Sequence, residues 1–424
     1  MSVEKAVLAS LNAPTAAARL EAFTNLCNQH KPTQTNVSGS IENINNHIHT
    51  IYSFSPYSPS AAVWCAMEAG LSTAGIMDHD SVSGCREFIE AGRIANFPVT
   101  VGVELRASMA GSPLANRRFN NPDQEGIIYM ALHAIPHDQL DRVDAFLRPL
   151  REARGLRNRA MTKNLSEIFA PYGVELDYDR DVLPCTQAHE GGSVTERHLL
   201  YALSLKLIER FGKGASLISF LKDTVGLKLS AKIEGYLGDV DSEHYVYDLL
   251  GLLKAEFVSR FYIPATDECP PVADVLALAR EVGAFSAYAY LGDVGDSVTG
   301  DKRAQAFEDS YLDELFCELD SLGFRSVTYM PSRNTMAQLE RVQALCDQHG
   351  FLQISGEDIN SSRQQFICAA LQNPAFAHLI SAAWALIGHE NTRPDFFSKE
   401  AKVANPTLSG RIAAFAAAGR ALYN

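Results

Sequence analysis

The chain has 424 residues, 46% of them hydrophobic and 21% charged, which is enough apolar material for two or three globular domains. A formal net charge of −13 argues against a wide surface that tracks the phosphates of DNA or RNA, although a local cluster of Arg and Lys can still hold a small anion. The eight scattered cysteines include no C-x-x-C pair, which excludes a zinc ribbon or a thioredoxin-like motif and reads as reduced thiols.

Residues 5–29 are expected to be helical, and KPTQTNVSGS reads as a linker. This start lacks the basic residues and apolar block of a signal peptide. No apolar run approaches the roughly 20 residues that span a bilayer, so the expected setting is the cytoplasm, with no membrane partner. From about residue 43 short apolar strands alternate with helices: NINNHIHT, a helix opened by Ser58-Pro59, STAGIMDHD, a helix over 82–96, PVTVGVELRAS and GIIYMALH. Such alternation predicts an α/β fold with parallel strands.

Near residue 137 the rhythm stops, and 138–262 is rich in Leu, Arg and Glu with few strand signals. This stretch reads as an inserted helical domain, a cap. One of its helices is expected to start at Ser193, with Glu196 completing a capping box. Leaving the barrel just after His133, the insert is expected to lie over the cleft at the strand ends. The alternation resumes after Pro270-Pro271, with helices over 271–283, 303–322 and 334–349 preceding the strands AFSAYAY, FRSVTYM and FLQISGEDIN. The expected organisation is an extension over 1–42, a barrel split between 43–137 and 263–395, the insert between them, and a terminal helix over 396–424.

Potential metal ligands gather at strand ends: His47-Ile-His49, Asp78-His79-Asp80, Glu104 in GVE, His133, and Asp358 in SGEDIN. In H-x-H on a strand both imidazoles face the same way, so two nitrogens can take one ion. Imidazole with carboxylate suits Zn, Mn or Fe. Asp78 and Asp80 either orient His79 or cap the helix that follows. His389 and Glu390 read as structural.

The series HIHTIYSFSPYSP, GIMDHDSVSG, GVE, His133 and SGEDIN resembles the motifs of the polymerase and histidinol phosphatase (PHP) family over 43–137 and 263–362. The resemblance implies an α/β fold, a distorted (β/α)7 barrel interrupted here by the helical insert. It also implies up to three divalent ions in a cleft and hydrolysis of phosphate esters by a metal-bound hydroxide. Carried over residue by residue, it makes His47, His49, His79, Glu104, His133, Asp358 and Asn360 the ligand set. Asp78 and His79 become the groups that assist proton transfer.

The chain departs from the pattern at three places. Phe54 stands where an Asp ligand is common, Ala289-Tyr290-Leu291 replaces A-H-P, and Asp358-Ile359-Asn360 replaces S-D-x-H. One ion, on His47, His49, Glu104 and Asp358, is therefore expected to be firm. Asp293 and Asp296 are candidates to compensate at the others. Lys302 and Arg303, with Arg197 and His198 of the insert, are the expected phosphate contacts; Arg106, Arg333 and Arg393 are lesser candidates. The implied substrate is a small phosphate ester, more often a monoester, nucleotides among them. The alternatives are a catalytically degenerate domain that binds metal and a phosphorylated ligand, and a lyase or non-phosphate hydrolase on a related barrel.

Overall fold

The computed structural model describes residues 3–29, 41–294 and 305–423. Seven strands form one sheet in chain order: β1 (Ile44–Ile48), β2 (Thr73–His79), β3 (Val99–Ser108), β4 (Ile127–His133), β5 (Phe285–Ala289), β6 (Ser326–Tyr329) and β7 (Leu352–Ser355). A parallel bridge between Ile48 and Ile359, just past β7, brings the sheet's two edges together. The result is a distorted seven-stranded α/β barrel, nearly closed.

The strands are not all parallel, as the alternation had suggested. β4 runs antiparallel to both β3 and β5. The reason lies in the β3–β4 connection, residues 109–126, which carries no helix. A parallel return needs a crossover of a dozen or more residues packed back on the sheet, usually as a helix; without one the chain doubles back.

Because β4 is reversed, its C-terminal end lies at the base of the barrel, where the parallel strands begin. The chain then enters a 30-residue helix, Leu140–Phe169, about 45 Å long at 1.5 Å per residue. This helix climbs outside the barrel to the rim, where Arg151 and Arg154 reach Asp80 just past β2. The helices after it, including Glu196–Phe211 and Tyr245–Glu256, build a second apolar cluster from residues such as Met161, Leu199, Leu249 and Phe257. The helix Val272–Val282 descends again to start β5.

The insert therefore meets the rim, where Ser81 and Ser83 donate to Gly191 O, and Arg363, past β7, pairs with Asp248 at 2.6 Å. It does so by the climb of the long helix, and not because the chain leaves β4 at the rim. No helix of the described residues is long and apolar enough to cross a membrane, and all eight cysteines are unpaired.

Three local expectations need correction. The N-terminal segment is two helices, Val3–Leu11 and Ala16–Gln29, separated around Pro14, which fixes φ and lacks an N–H. The helix expected from 303 begins at Leu312, because Gln305 pairs with Val294 and the Glu308 carboxylate accepts from the Leu291 N–H. In the insert the cap of Glu196–Phe211 is Thr195, whose N–H donates to His198 Nδ1 at 3.0 Å; Glu196 instead turns to arginines.

Below the sheet, the helices Ala377–Asn391 and Leu408–Ala421 cross in close contact. A Cβ at Gly388 would overlap the Phe415 carbonyl oxygen, and one at Gly419 would overlap that of Trp384. Gly388→Ala is thus expected to cost about 1–3 kcal/mol through overpacking. Urea denaturation measures it; an unchanged midpoint would mean that the helices do not cross this tightly.

Candidate metal centre

Alternation along β1 turns His47 and His49 into the barrel mouth, and the β2–β3 register sets His79 beside Glu104. The Glu104 carboxylate is the hub. Its Oε2 lies 3.1 Å from His79 Nδ1, 3.6 Å from His47 Nε2 and 3.9 Å from His49 Nε2. Asp358 completes the ring, its Oδ1 being 3.1 Å from His49 Nε2. Ligand atoms of His47, His49 and Glu104 all lie within 4.8 Å of one another.

Small inward residues make the room: Ala131 and Ala287 lie with Met77 inside the barrel, and a Cβ on Gly102 would strike Met77 and the Leu132 carbonyl. His133 sits one layer lower than Glu104. It pairs with Gly102 in the ladder, while Glu104 pairs with Ala131.

The donor set suits a divalent cation. Among the described residues His133 Nε2 is buried without a hydrogen-bond partner, which is costly for a polar nitrogen unless something else occupies it. Burial raises the Glu104 carboxyl, but His79, His47 and His49 overcome this and hold it down at about 2. Burial, reinforced by His47, pushes His133 down to about 3, so it stays neutral as a ligand must. Asp358 is likewise held well below the usual carboxylate range; burial opposes this, but His49, His47 and Arg197 outweigh it.

The remaining site residues fall into distinct places. Asp78 does not touch His79. It accepts from the Thr50 N–H, Thr50 Oγ1 and Ser53 Oγ, each at 2.6 Å, and Ser53 Oγ lies 3.2 Å from His49 Nδ1. Asp78 thus orients His49 through Ser53, a link already present in H-x-H-T-x-x-S but unread there. Asp80, at φ 52°, pairs with Arg154 at 2.5 Å. Asn360 Nδ2 donates to Asp358 Oδ1 at 2.5 Å, which steadies that carboxylate.

Tyr290 turns its hydroxyl onto Asp309 at 2.6 Å, and Asp293 accepts from the Phe307 N–H, so neither joins the histidines. Phe54, at φ 109°, sends its ring into the insert against His198, Tyr201 and Tyr247. Arg197 is half-buried and near enough to act on Asp358, whereas His198 is buried in its cap. Arg106 is buried beside Glu268 and Glu196, Arg333 donates to the Leu291 carbonyl, and Arg393 lies at the base of the barrel. Glu390 accepts from Thr100 Oγ1 and the Val101 N–H, and His389 Nε2 lies 2.8 Å from Gly283 O. Lys302, Arg303 and Asp296 lie outside the described residues.

No family model and no curated protein matches the chain. Among solved structures it is similar to a presumptive metal-dependent phosphoesterase from Bifidobacterium adolescentis, at 19% identity over 79% of this chain and 96% of that one, with a TM-score of 0.50. It is also similar to an amidohydrolase from Chromobacterium violaceum, at 16% identity over 76% and 89%, with a TM-score of 0.49. At such identities the first likeness establishes the fold.

Two outcomes follow from this geometry. The double variant His47→Ala/His49→Ala should lose most bound metal while remaining folded; unchanged metal in elemental analysis would refute the centre. The second concerns Glu308, buried behind Tyr290. Burial raises its carboxyl to about 7, against the Leu291 N–H, which donates to Oε1. A raised carboxyl pKa means that the folded state holds the proton more tightly, so stability falls as pH rises from about 4.5 to about 7. Glu308→Gln should remove that fall and gain on the order of 3 kcal/mol above pH 7. Parallel stability–pH curves for the two proteins would contradict it.

Proposed function

We propose that the protein is a metal-dependent hydrolase of small phosphate esters, monoesters more than diesters. The observation that carries this reading is the His47, His49 and Glu104 cluster at the barrel mouth, with Asp358 on its rim. These four residues would hold a divalent ion, with His133 one layer below them. When bound, such an ion supplies Lewis acidity and lowers the pKa of water from about 16 toward about 7.

The chain's own groups have assignable tasks. Glu104, ionised, fixes His79 through Nδ1 and leaves Nε2 to accept a proton from the attacking water and return it to the leaving oxygen. Burial, with help from His49 and Arg154, holds His79 well below its ordinary pKa, so it starts neutral. Asp78 keeps His49 aimed through Ser53. Arg197 brings positive charge to the side of Asp358, where an anionic ester would be met. The long helix and the insert above the rim limit the cleft to small substrates, which also suits the acidic chain.

Phe54 and Tyr290, both engaged elsewhere, favour a second reading: a domain that binds one ion and a phosphorylated ligand without turnover. A screen of phosphate monoesters with Mn²⁺, Zn²⁺ or Fe²⁺ separates the two. Asp358→Ala should lower kcat by about a hundredfold or more, on the scale of losing one transition-state contact in an enclosed site, and chelation should abolish turnover until metal is restored. If the wild type hydrolyses nothing faster than Asp358→Ala, the binding domain is the correct reading.

A further inference from the structure

At the base of the barrel, on the opposite side of the sheet from the histidines, lies a cavity of about 450 Å³. It is bounded by the start of the long helix, the end of Val272–Val282, the start of β6 and the segment after Asn391. Three arginines line it: Arg280, Arg325 and Arg393.

Among the described residues, the guanidinium groups of Arg280 and Arg325 have no carboxylate partner and no hydrogen bond. The Arg325 guanidinium carbon sits over the Phe397 ring, 3.9 Å from its centroid, and among the described residues its Nη1 lacks an acceptor. Burial and the neighbouring charge of Arg280 push its pKa down, with Asp395 opposing. Arg393 Nη1 donates to the Thr392 carbonyl at 3.0 Å, and its one carboxylate contact, with Asp138, is long and exposed at 3.5 Å.

The acidic groups at the cavity do not meet this need. Glu281 is taken by Arg142 at 2.7 Å, and Asp395 Oδ1 accepts from the Phe397 N–H at 2.8 Å. Counting Arg142 with Glu281 as a neutral pair, three arginines face two aspartates, a local excess of positive charge on a strongly acidic protein. A guanidinium held by stacking, with its N–H groups unused and a second cation beside it, is pre-arranged for an oxyanion.

We propose that this base cavity is a second binding site, taking a phosphate group, free or carried by a small metabolite, between Arg280, Arg325 and Arg393. It shares no residue with the metal centre and does not depend on the reaction proposed there. The volume exceeds that of an orthophosphate, which leaves space for a small organic moiety.

The test is calorimetric titration of the full-length, metal-loaded protein with inorganic phosphate, for wild type, Arg280→Glu, Arg393→Glu and Asp358→Ala. Arg280 is exposed, so its replacement leaves the core untouched; a thermal melt checks this. Arg280→Glu and Arg393→Glu should each weaken one phosphate site by about tenfold or more, the scale of one charge-assisted contact. Asp358→Ala should retain that site. Repeating the titration with ribose 5-phosphate in Asp358→Ala distinguishes the sources: tighter binding than phosphate indicates an organic phosphate, equal binding the free ion, and either supports the site. Absence of phosphate binding in the wild type, binding unaffected by both arginine variants, or its complete loss in Asp358→Ala would overturn the proposal.

Discussion

At β4 the chain returns through a helix-free connection and runs antiparallel to both neighbours, and this single reversal shapes much of the molecule. It delivers the chain to the base of the barrel when the insert belongs at the rim. Only a long rigid element can bridge that distance, and Leu140–Phe169 supplies it. The reversal also sets His133 a layer below Glu104, beneath the ring of donors at the mouth. The junction of the ascending and descending helices forms one wall of the basal cavity.

What fastens the long helix to the rim is charge. Arg154 joins Asp80 at 2.5 Å and Glu196 at 2.7 Å, while Arg157 joins Glu268 at 2.6 Å and also Glu196. Arg106 from β3 joins Glu268 at 2.7 Å. Three arginines thus meet three carboxylates in a nearly dry interface between barrel and insert. Such a network adds little net stability compared with apolar packing, yet losing one partner strands a buried charge at a cost of about 3–5 kcal/mol. Its effect is therefore on position: the insert has one seat. Phe54 adds an apolar peg at a backbone angle that a bulky residue seldom adopts, a strain of about 1–3 kcal/mol that the aromatic cluster around it must offset.

The legible part of the sequence was local and periodic. H-x-H on a strand had to place two imidazoles together, because the side-chain period there is two. Ser58-Pro59 opened a helix as expected, with Ser58 Oγ accepting from the Ala61 N–H. The failures share a cause: partners distant in the chain. Ser193 and Glu196 have capping-box spacing, but Glu196 was claimed by Arg154 and Arg157, leaving Thr195 and His198 to cap. Asp78 is next to His79 in sequence, yet the strand turns them to opposite sides and gives the carboxylate to Thr50 and Ser53. Alternating strands and helices look the same whether one strand runs up or down, so the direction of β4 was hidden in a helix-free connection.

The seam of the barrel links ion and fold. Around it, His49 N–H donates to Ile359 O at 2.9 Å and Ile359 N–H to His47 O at 3.1 Å, while Gly356 packs so closely that an added Cβ would stand 2.6 Å from that of His47. His49 and Asp358 face each other across this join. An ion shared by them would act as a rivet between the first and last strands, and binding it would draw on the same free energy that keeps the two edges together. Parting the edges and releasing the ion then become one event, so the amide protons of His49 and Ile359 should exchange with solvent at a rate that reports how firmly the metal is held.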